Sequence, residues 1–216
     1  MQEASTRTIL YLIRHGQTDY NASQRFQGRG IDAELNEVGR KQAEAVARYF
    51  EGDSMTIDRL YCSSLKRTAQ TAGPLAYAQN LQITSSPDLD EMDFGSLEGA
   101  YVADHLPYLR ELQEQWRSGQ TSIPVHEGEH PEQVYSRANG YVNDVVLRGY
   151  ESEGRKSEKV VLVVHGRLIR ILLSVWLGYG LEQMDEIEHS NGAIYEIGWD
   201  GRGFTPIQLH ITEHLA

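Results

Sequence analysis

The chain has 216 residues, enough for one well-buried domain carrying an insert. Its formal net charge of −11 disfavours nucleic acid and anionic membrane surfaces as partners. A small anionic substrate stays open if the site is locally cationic. No apolar run approaches the roughly 20 residues of a membrane helix, and the first residues lack the apolar core of a signal peptide. One cysteine, Cys62, leaves no internal disulfide, so a reducing, cytoplasmic home is expected and the sequon at Asn21 is read as chance.

The first predicted strand covers residues 9–13 and runs directly into Arg14-His15-Gly16. Residues 16–35 are polar, without a period, and read as a long loop. Asn36 is a natural N-cap for a helix through residue 50, with Gly52-Asp53 closing it. A strand over 57–62 precedes a helix over 65–78 with a small-residue face, and 81–84 form a third strand. Residues 101–118 read as a helix interrupted near Pro107, and 119–131 as a polar loop. Pro131 suits the first turn of a helix reaching about residue 150, and 151–159 form a charged connection. The run Val160-Val161-Leu162-Val163-Val164 is fully apolar and mostly β-branched, as in a central strand buried on both faces. A helix over 168–177 and strands over 194–197 and 204–211 complete the chain. Alternating strands and helices predict an α/β fold, a three-layer α/β/α domain over residues 1–216 with a mostly parallel sheet. A helical insert at about 100–150 would set substrate specificity.

Two apolar strands each end in His-Gly, at His15-Gly16 and His165-Gly166, and a third leads through Ser63-Ser64-Leu65-Lys66 to Arg67. In open α/β sheets, ligands bind at the carboxyl ends of strands. Two guanidiniums and two imidazoles gathered there would make a cationic pocket in an acidic protein, and arginine forks suit phosphate.

These blocks resemble the histidine phosphatase superfamily, the phosphoglycerate-mutase-like group. The resemblance covers most of the chain: Arg14-His15-Gly16-Gln17-Thr18 with Asn21, Arg25 and Gln27-Gly28; Ser63 to Ala72; Leu89-Asp90-Glu91-Met92 with Gly95 and Glu98-Gly99; and Val163-Val164-His165-Gly166, in the family's order. It implies that His15 is the nucleophile and carries a phosphoryl group. Arg14, Arg67 and His165 would bind the equatorial phosphate oxygens. Glu91 would protonate the leaving oxygen and then assist water, for which it must hold a proton at neutral pH or share one with the substrate. Asn21, Gln27, Gly28 and Gly166 match substrate-contacting places. No cofactor and no metal are needed, because fixed cations do that work. The implied partner is a small phosphorylated substrate, and the family allows a homodimer.

Other motifs fail on spacing. Gly28-Arg29-Gly30-Ile31-Asp32-Ala33 fits a dinucleotide fingerprint but follows no strand. Cys62 and Arg67 are one residue too close for a cysteine phosphatase. His126 and His130 have an i,i+4 metal spacing, but Gly128 and Pro131 argue against a shared helix. Thr18 and Tyr20 replace the Arg and Pro of the secreted acid-phosphatase branch. Within the family, Met92-Asp93-Phe94-Gly95 after Glu91 and the scarcity of paired arginines in the following region favour a phosphatase over a mutase. A phosphate-binding regulatory module with dead chemistry would be expected to have lost one of His15, Arg67, Glu91 or His165. Gly128-Glu129-His130 departs from the family's usual serine after the acid, leaving His130 either a helix cap or a substrate contact.

Overall fold

The computed structural model describes residues 8–51, 55–148 and 157–216. Six strands form one sheet: β1 (Thr8–Arg14), β2 (Arg59–Ser63), β3 (Ile83–Ser86), β4 (Glu158–Val164), β5 (Ile194–Trp199) and β6 (Phe204–Ile211). Their order is β3-β2-β4-β1-β5-β6. The pairs β1–β4, β4–β2 and β2–β3 are parallel, whereas β5 and β6 are antiparallel to their neighbours. The late strands run backwards because the chain reaches β5 at the carboxyl end of β1. There Gly192 donates its N–H to the Arg14 carbonyl, and the Arg14 N–H donates to Ala193.

Side chains alternate across the central strands, so one sheet makes two cores. Leu10, Leu12, Val160, Leu162 and Val164 pack against α4 (Leu106–Arg117), α5 (Pro131–Tyr141) and α6 (Gly166–Trp176). Tyr11, Ile13, Val161 and Val163 face α2 (Glu37–Glu51) and α3 (Lys66–Gln79). The run Val160–Val164 has no exposure, as expected of a central strand.

Asn36 caps α2, its Oδ1 accepting the Gly39 N–H at 2.9 Å. The loop expected over 16–35 contains a short helix, α1 (Asp19–Ala22), started by Thr18, whose side chain accepts the Asn21 N–H. Strand β3 begins two residues later than expected. Asn80 ends α3 in the left-handed conformation, φ 52°, and the Leu81 N–H is spent on the Ala76 carbonyl. The break expected at Pro107 is real: a 3-10 turn (Val102–His105) precedes it, and the proline occupies the first turn of α4. Past α5, π-helical turns continue over Val142–Leu147. The expected helix end near 150, most of the charged connection and Gly52-Asp53 lie outside the described residues. Helix α6 starts at Gly166, two residues earlier than expected. His130 stands at the start of α5 with its N–H donating to Gln133 Oε1 at 3.1 Å. Among the described residues no helix is long and apolar enough to cross a membrane.

Candidate active site

Parallel pairing of β1, β4 and β2 brings three strand ends to one edge. Arg14 registers with Val164, and Cys62 with Val163. His15 and His165 therefore emerge side by side, ring centroids 5.2 Å apart. The His15 ring is buried, and its Nδ1–H donates to the Gly16 carbonyl at 2.7 Å. A carbonyl only accepts, so Nε2 carries the lone pair. Burial, reinforced by the charges of Arg67 and Arg14, holds the His15 pKa well below the usual imidazole value. This imidazole is held neutral, with its lone pair at Nε2.

Arg67 and His165 stand one layer behind. Both are fully buried, and neither reaches the cavity wall. Arg67 donates from Nε to His165 Nδ1 at 3.2 Å and from its terminal nitrogens to the carbonyls of Ile31 and Gly28. With Nδ1 accepting, His165 donates from Nε2 to Ser63 Oγ at 2.7 Å. Burial lowers the Arg67 pKa to about 10, which leaves it charged at neutral pH. Three of the five Arg67 N–H groups are thus spent on the protein, and its charge acts on His15. Gly28 likewise supplies a carbonyl to Arg67 and does not line the cavity.

The cavity holds about 150 Å³. Of the residues singled out in the sequence, His15, Arg14, Glu91, Asn21, Gln27 and Gly166 form part of its wall. Arg14 Nε and Gln27 Nε2 are buried donors without hydrogen-bond partners among the described residues. Such donors are costly unless a ligand takes them. Gln27 is turned by Thr18, which donates to its Oε1 at 2.6 Å. Asn21 accepts at Oδ1 from Thr18 and from Asn191, whose amide also donates to the His15 carbonyl. Gly166 is required by close approach: a Cβ there would meet Arg14 Nε at 3.0 Å and His189 Cδ2 at 2.8 Å. The Glu91 carboxylate accepts three backbone N–H groups, from Met92 and Leu168 on Oε1 and from Arg167 on Oε2, which moors it to the first turn of α6.

The remaining wall was not anticipated. Arg167 and Arg170, three apart on α6, both line it and share one acid, Asp185, at 2.6 and 2.8 Å. Burial and then Arg167 bring Arg170 down to about 10. Arg25 joins from the loop after α1, its guanidinium 4.1 Å over the Tyr101 ring, with Phe26, Phe94, Val102 and His189 completing the rim. Four arginines therefore face one carboxylate across a space of phosphate size. The signal for α6 was present in Gly166-Arg167-Leu168-Ile169-Arg170, but a helix begun at 168 hides that spacing. Outward, the cavity shares Arg14, Asn21, Arg25, Val102 and His189 with a cleft of about 610 Å³ that also touches Ala103 and Leu106 of the insert. A separate hollow of about 490 Å³ beside β6, walled by Tyr179, Ile187 and Leu209, shares none of these residues.

Cys62 is buried, and burial raises its thiol pKa to about 11, so it is no nucleophile. His126 lies against Tyr108, 4.4 Å between ring centres, and neither it nor His130 lines the cavity.

The family model for the histidine phosphatase superfamily (branch 1) matches residues 10–212. Phosphoserine phosphatase 1 of Hydrogenobacter thermophilus is 29% identical over 207 residues, 96% of this chain and 94% of the relative. A protein named probable phosphoglycerate mutase GpmB, from Yersinia pestis, is 32% identical over 169 residues, 78% of this chain and 74% of the relative. Among solved structures, mycobacterial glucosyl-3-phosphoglycerate phosphatase in complex with VO3 superposes with a TM-score of 0.81 at 27% identity, covering 94% of this chain and 98% of that one. The alpha-ribazole phosphatase of Shigella flexneri shares the fold at a TM-score of 0.75 and 23% identity, over 94% and 96%. The chain belongs to the histidine phosphatase superfamily, branch 1.

Proposed function

We propose that this protein is a phosphomonoesterase that hydrolyses a small phosphorylated metabolite through a phosphohistidine on His15. One observation carries the reading: a neutral imidazole, its Nδ1 proton tied to Gly16, faces a phosphate-sized cavity walled by Arg14, Arg25, Arg167 and Arg170. His15 Nε2 attacks phosphorus, an N–P bond forms, and the ester P–O bond breaks. Arg14 holds the non-bridging oxygens, where charge spreads in the transition state, and Arg25, Arg167 and Arg170 bind the substrate from the rim. Glu91 passes a proton to the leaving oxygen. It then takes one from the water that attacks phosphorus, which breaks the N–P bond and restores His15.

A phosphoryl-transfer reading needs separate treatment. The cations missing from the insert arrive from α6 and the first loop, so charge around the cavity does not separate hydrolysis from transfer. Products do. The deciding test is a panel of phosphorylated metabolites, scored separately for free phosphate and for isomer, with acid-labile phosphate trapped on the protein. Free phosphate and a phosphoprotein are expected. Isomer without phosphate release would overturn hydrolysis, and turnover with no phosphoprotein on His15 would overturn the covalent route. Activity should also persist after exhaustive chelation, since the arginines stand where an ion would otherwise act.

A further inference from the structure

The segment Gly128-Glu129-His130 lies off the cavity wall, yet it is built against Asp93, two residues beyond the acid. Gly128 sits so close that a Cβ would fall 2.2 Å from the Asp93 carbonyl. Glu129 exchanges backbone bonds with this region: its N–H donates to Asp93 O, and its Oε2 accepts the Asp93 N–H, both at 2.9 Å. On α5, Arg137 forks onto Glu129, Nε to Oε1 at 2.8 Å and Nη2 to Oε2 at 2.9 Å. Its three remaining N–H groups go to three carbonyls of the acid loop: Asp88 and Asp90 at 2.8 Å and Glu91 itself at 3.1 Å. All five guanidinium donors are thereby used. From the other side, Ser64 at the end of β2 donates its N–H and hydroxyl to Asp90. Leu89 and Met92, fully buried, flank the segment. Burial would raise the Glu129 pKa, but the bonds and charge of Arg137 keep it below the usual carboxylate range, so the pair is ionic.

We propose that Arg137 and Glu129 are positioning residues for the acid step: together they fix the backbone of Glu91 so that its carboxylate meets the leaving oxygen. A planar fork suits this task and an ammonium does not, because three carbonyls and a bidentate carboxylate need donors in fixed directions. The proposal rests on the reading of Glu91 as the proton donor.

The test separates that reading from the clamp. It compares kcat/KM, which reports transfer to His15, on p-nitrophenyl phosphate and on the alkyl phosphomonoester that the wild type turns over fastest. The former has a leaving group that needs little protonation. Glu91→Ala should cost the alkyl ester about 10³-fold and the aryl ester less than about tenfold. Arg137→Gln and Arg137→Lys should follow the same pattern, losing about 30- to 100-fold on the alkyl ester against less than about fivefold on the aryl ester. Glu129→Gln should follow more weakly. The double variant Glu91→Ala/Arg137→Gln should be no worse than Glu91→Ala, since a clamp without its acid has nothing to position. Equal losses on both esters, or additive losses in the double variant, would overturn the clamp and leave Glu91 in place. A Glu91→Ala variant that treats both esters alike would overturn the acid assignment, and the clamp with it. Should Arg137→Gln fail to fold, Arg137→Lys and Glu129→Gln carry the same comparison.

Discussion

The inner wall and the rim of this site are built in opposite ways. The inner wall and the layer behind it come from three neighbouring parallel strands. Arg14-His15, His165-Gly166 and, through the first turn of α3, Arg67 are placed by backbone pairing and held by internal hydrogen bonds. The rim is assembled from segments far apart in sequence: Arg25 after α1, Val102 in a 3-10 turn, Arg167 and Arg170 on α6, and His189 ahead of β5. Its side chains are partly exposed, and two of its cations lean on a single carboxylate, Asp185. A site of this kind separates two jobs. On the proposed reading, chemistry sits where the sheet cannot yield, and selectivity sits where single residues can change without disturbing it.

The sharpest way to break that division is at the nucleophile. His15→Ala should lower kcat by about 10⁴-fold or more on every ester and abolish the trapped phosphoprotein, with the far-ultraviolet circular dichroism unchanged. Turnover within about tenfold of wild type would remove His15 from the inner wall's chemistry. Next in size is Gly166→Ala. The added methyl meets the exposed His189 ring, which can swing outward, and the Arg14 guanidinium, whose Nε is buried and whose Nη1 donates to the His189 carbonyl, so Arg14 is displaced. A loss of about 10- to 100-fold in kcat/KM is expected, alike for aryl and alkyl esters, because the displaced group binds the phosphoryl oxygens and not the leaving group. A selective loss on one ester would move Arg14 from the wall to the rim.

The same division explains what could be read from residues alone. Val160 to Val164 is an apolar, β-branched run, and such a run has one good place in an α/β fold. The groups that end it therefore come with a known address, as do those ending β1. Gln27 and Asn21 were recognisable by their place in the first loop, although the unpartnered Gln27 Nε2 appears only in three dimensions. Arg25 belongs to the first-loop block, but its place on the cavity wall depends on Tyr101, and nothing local marks His189, whose partner Arg14 is remote in sequence. Arg67 and His165 teach the converse. Their strand-end address was legible, but which donors remain for a substrate depends on carbonyls of the 28–31 loop and on Ser63, and no spacing encodes that. The antiparallel turn of β5 was equally hidden, since it follows from where the chain re-enters the sheet.

A rim substitution should behave differently from either inner-wall variant. Arg167→Met removes one cation and leaves Arg170 with all of Asp185, so the fold around α6 keeps its ion pair. KM should rise about tenfold, worth about 1.4 kcal/mol of binding, while kcat stays within about twofold. The rise should be larger for substrates carrying a second anionic group. An equal fall in kcat would place Arg167 with the strand ends.

The smallest effect is read from stability. His15 and His165 both have folded pKa values well below the ordinary imidazole value of 6.5, through burial and then the charge of Arg67. Between the folded and unfolded values the unfolded chain binds more protons. This contribution is therefore fully present above 6.5 and is lost as the pH falls through it. The carboxylates held low by arginines, Asp185 and Glu129, act in the same direction but only at more acid pH, near and below the ordinary carboxylate range. Urea unfolding between about pH 7.5 and pH 5 thus isolates the imidazoles. His15→Ala removes one of them, and its unfolding free energy should fall less steeply on acidification, by up to about 1.4 kcal/mol per pH unit. On the rim, burial and then the charge of Arg14 hold His189 down to about 3 as well; Arg167 comes behind Arg14 and Arg170 among the charges that do so, and Arg167→Met should therefore nearly keep the wild-type slope. A His15→Ala slope equal to wild type would mean that the inner wall does not hold this imidazole neutral, and that the nucleophile owes its free lone pair to the substrate instead of to the fold.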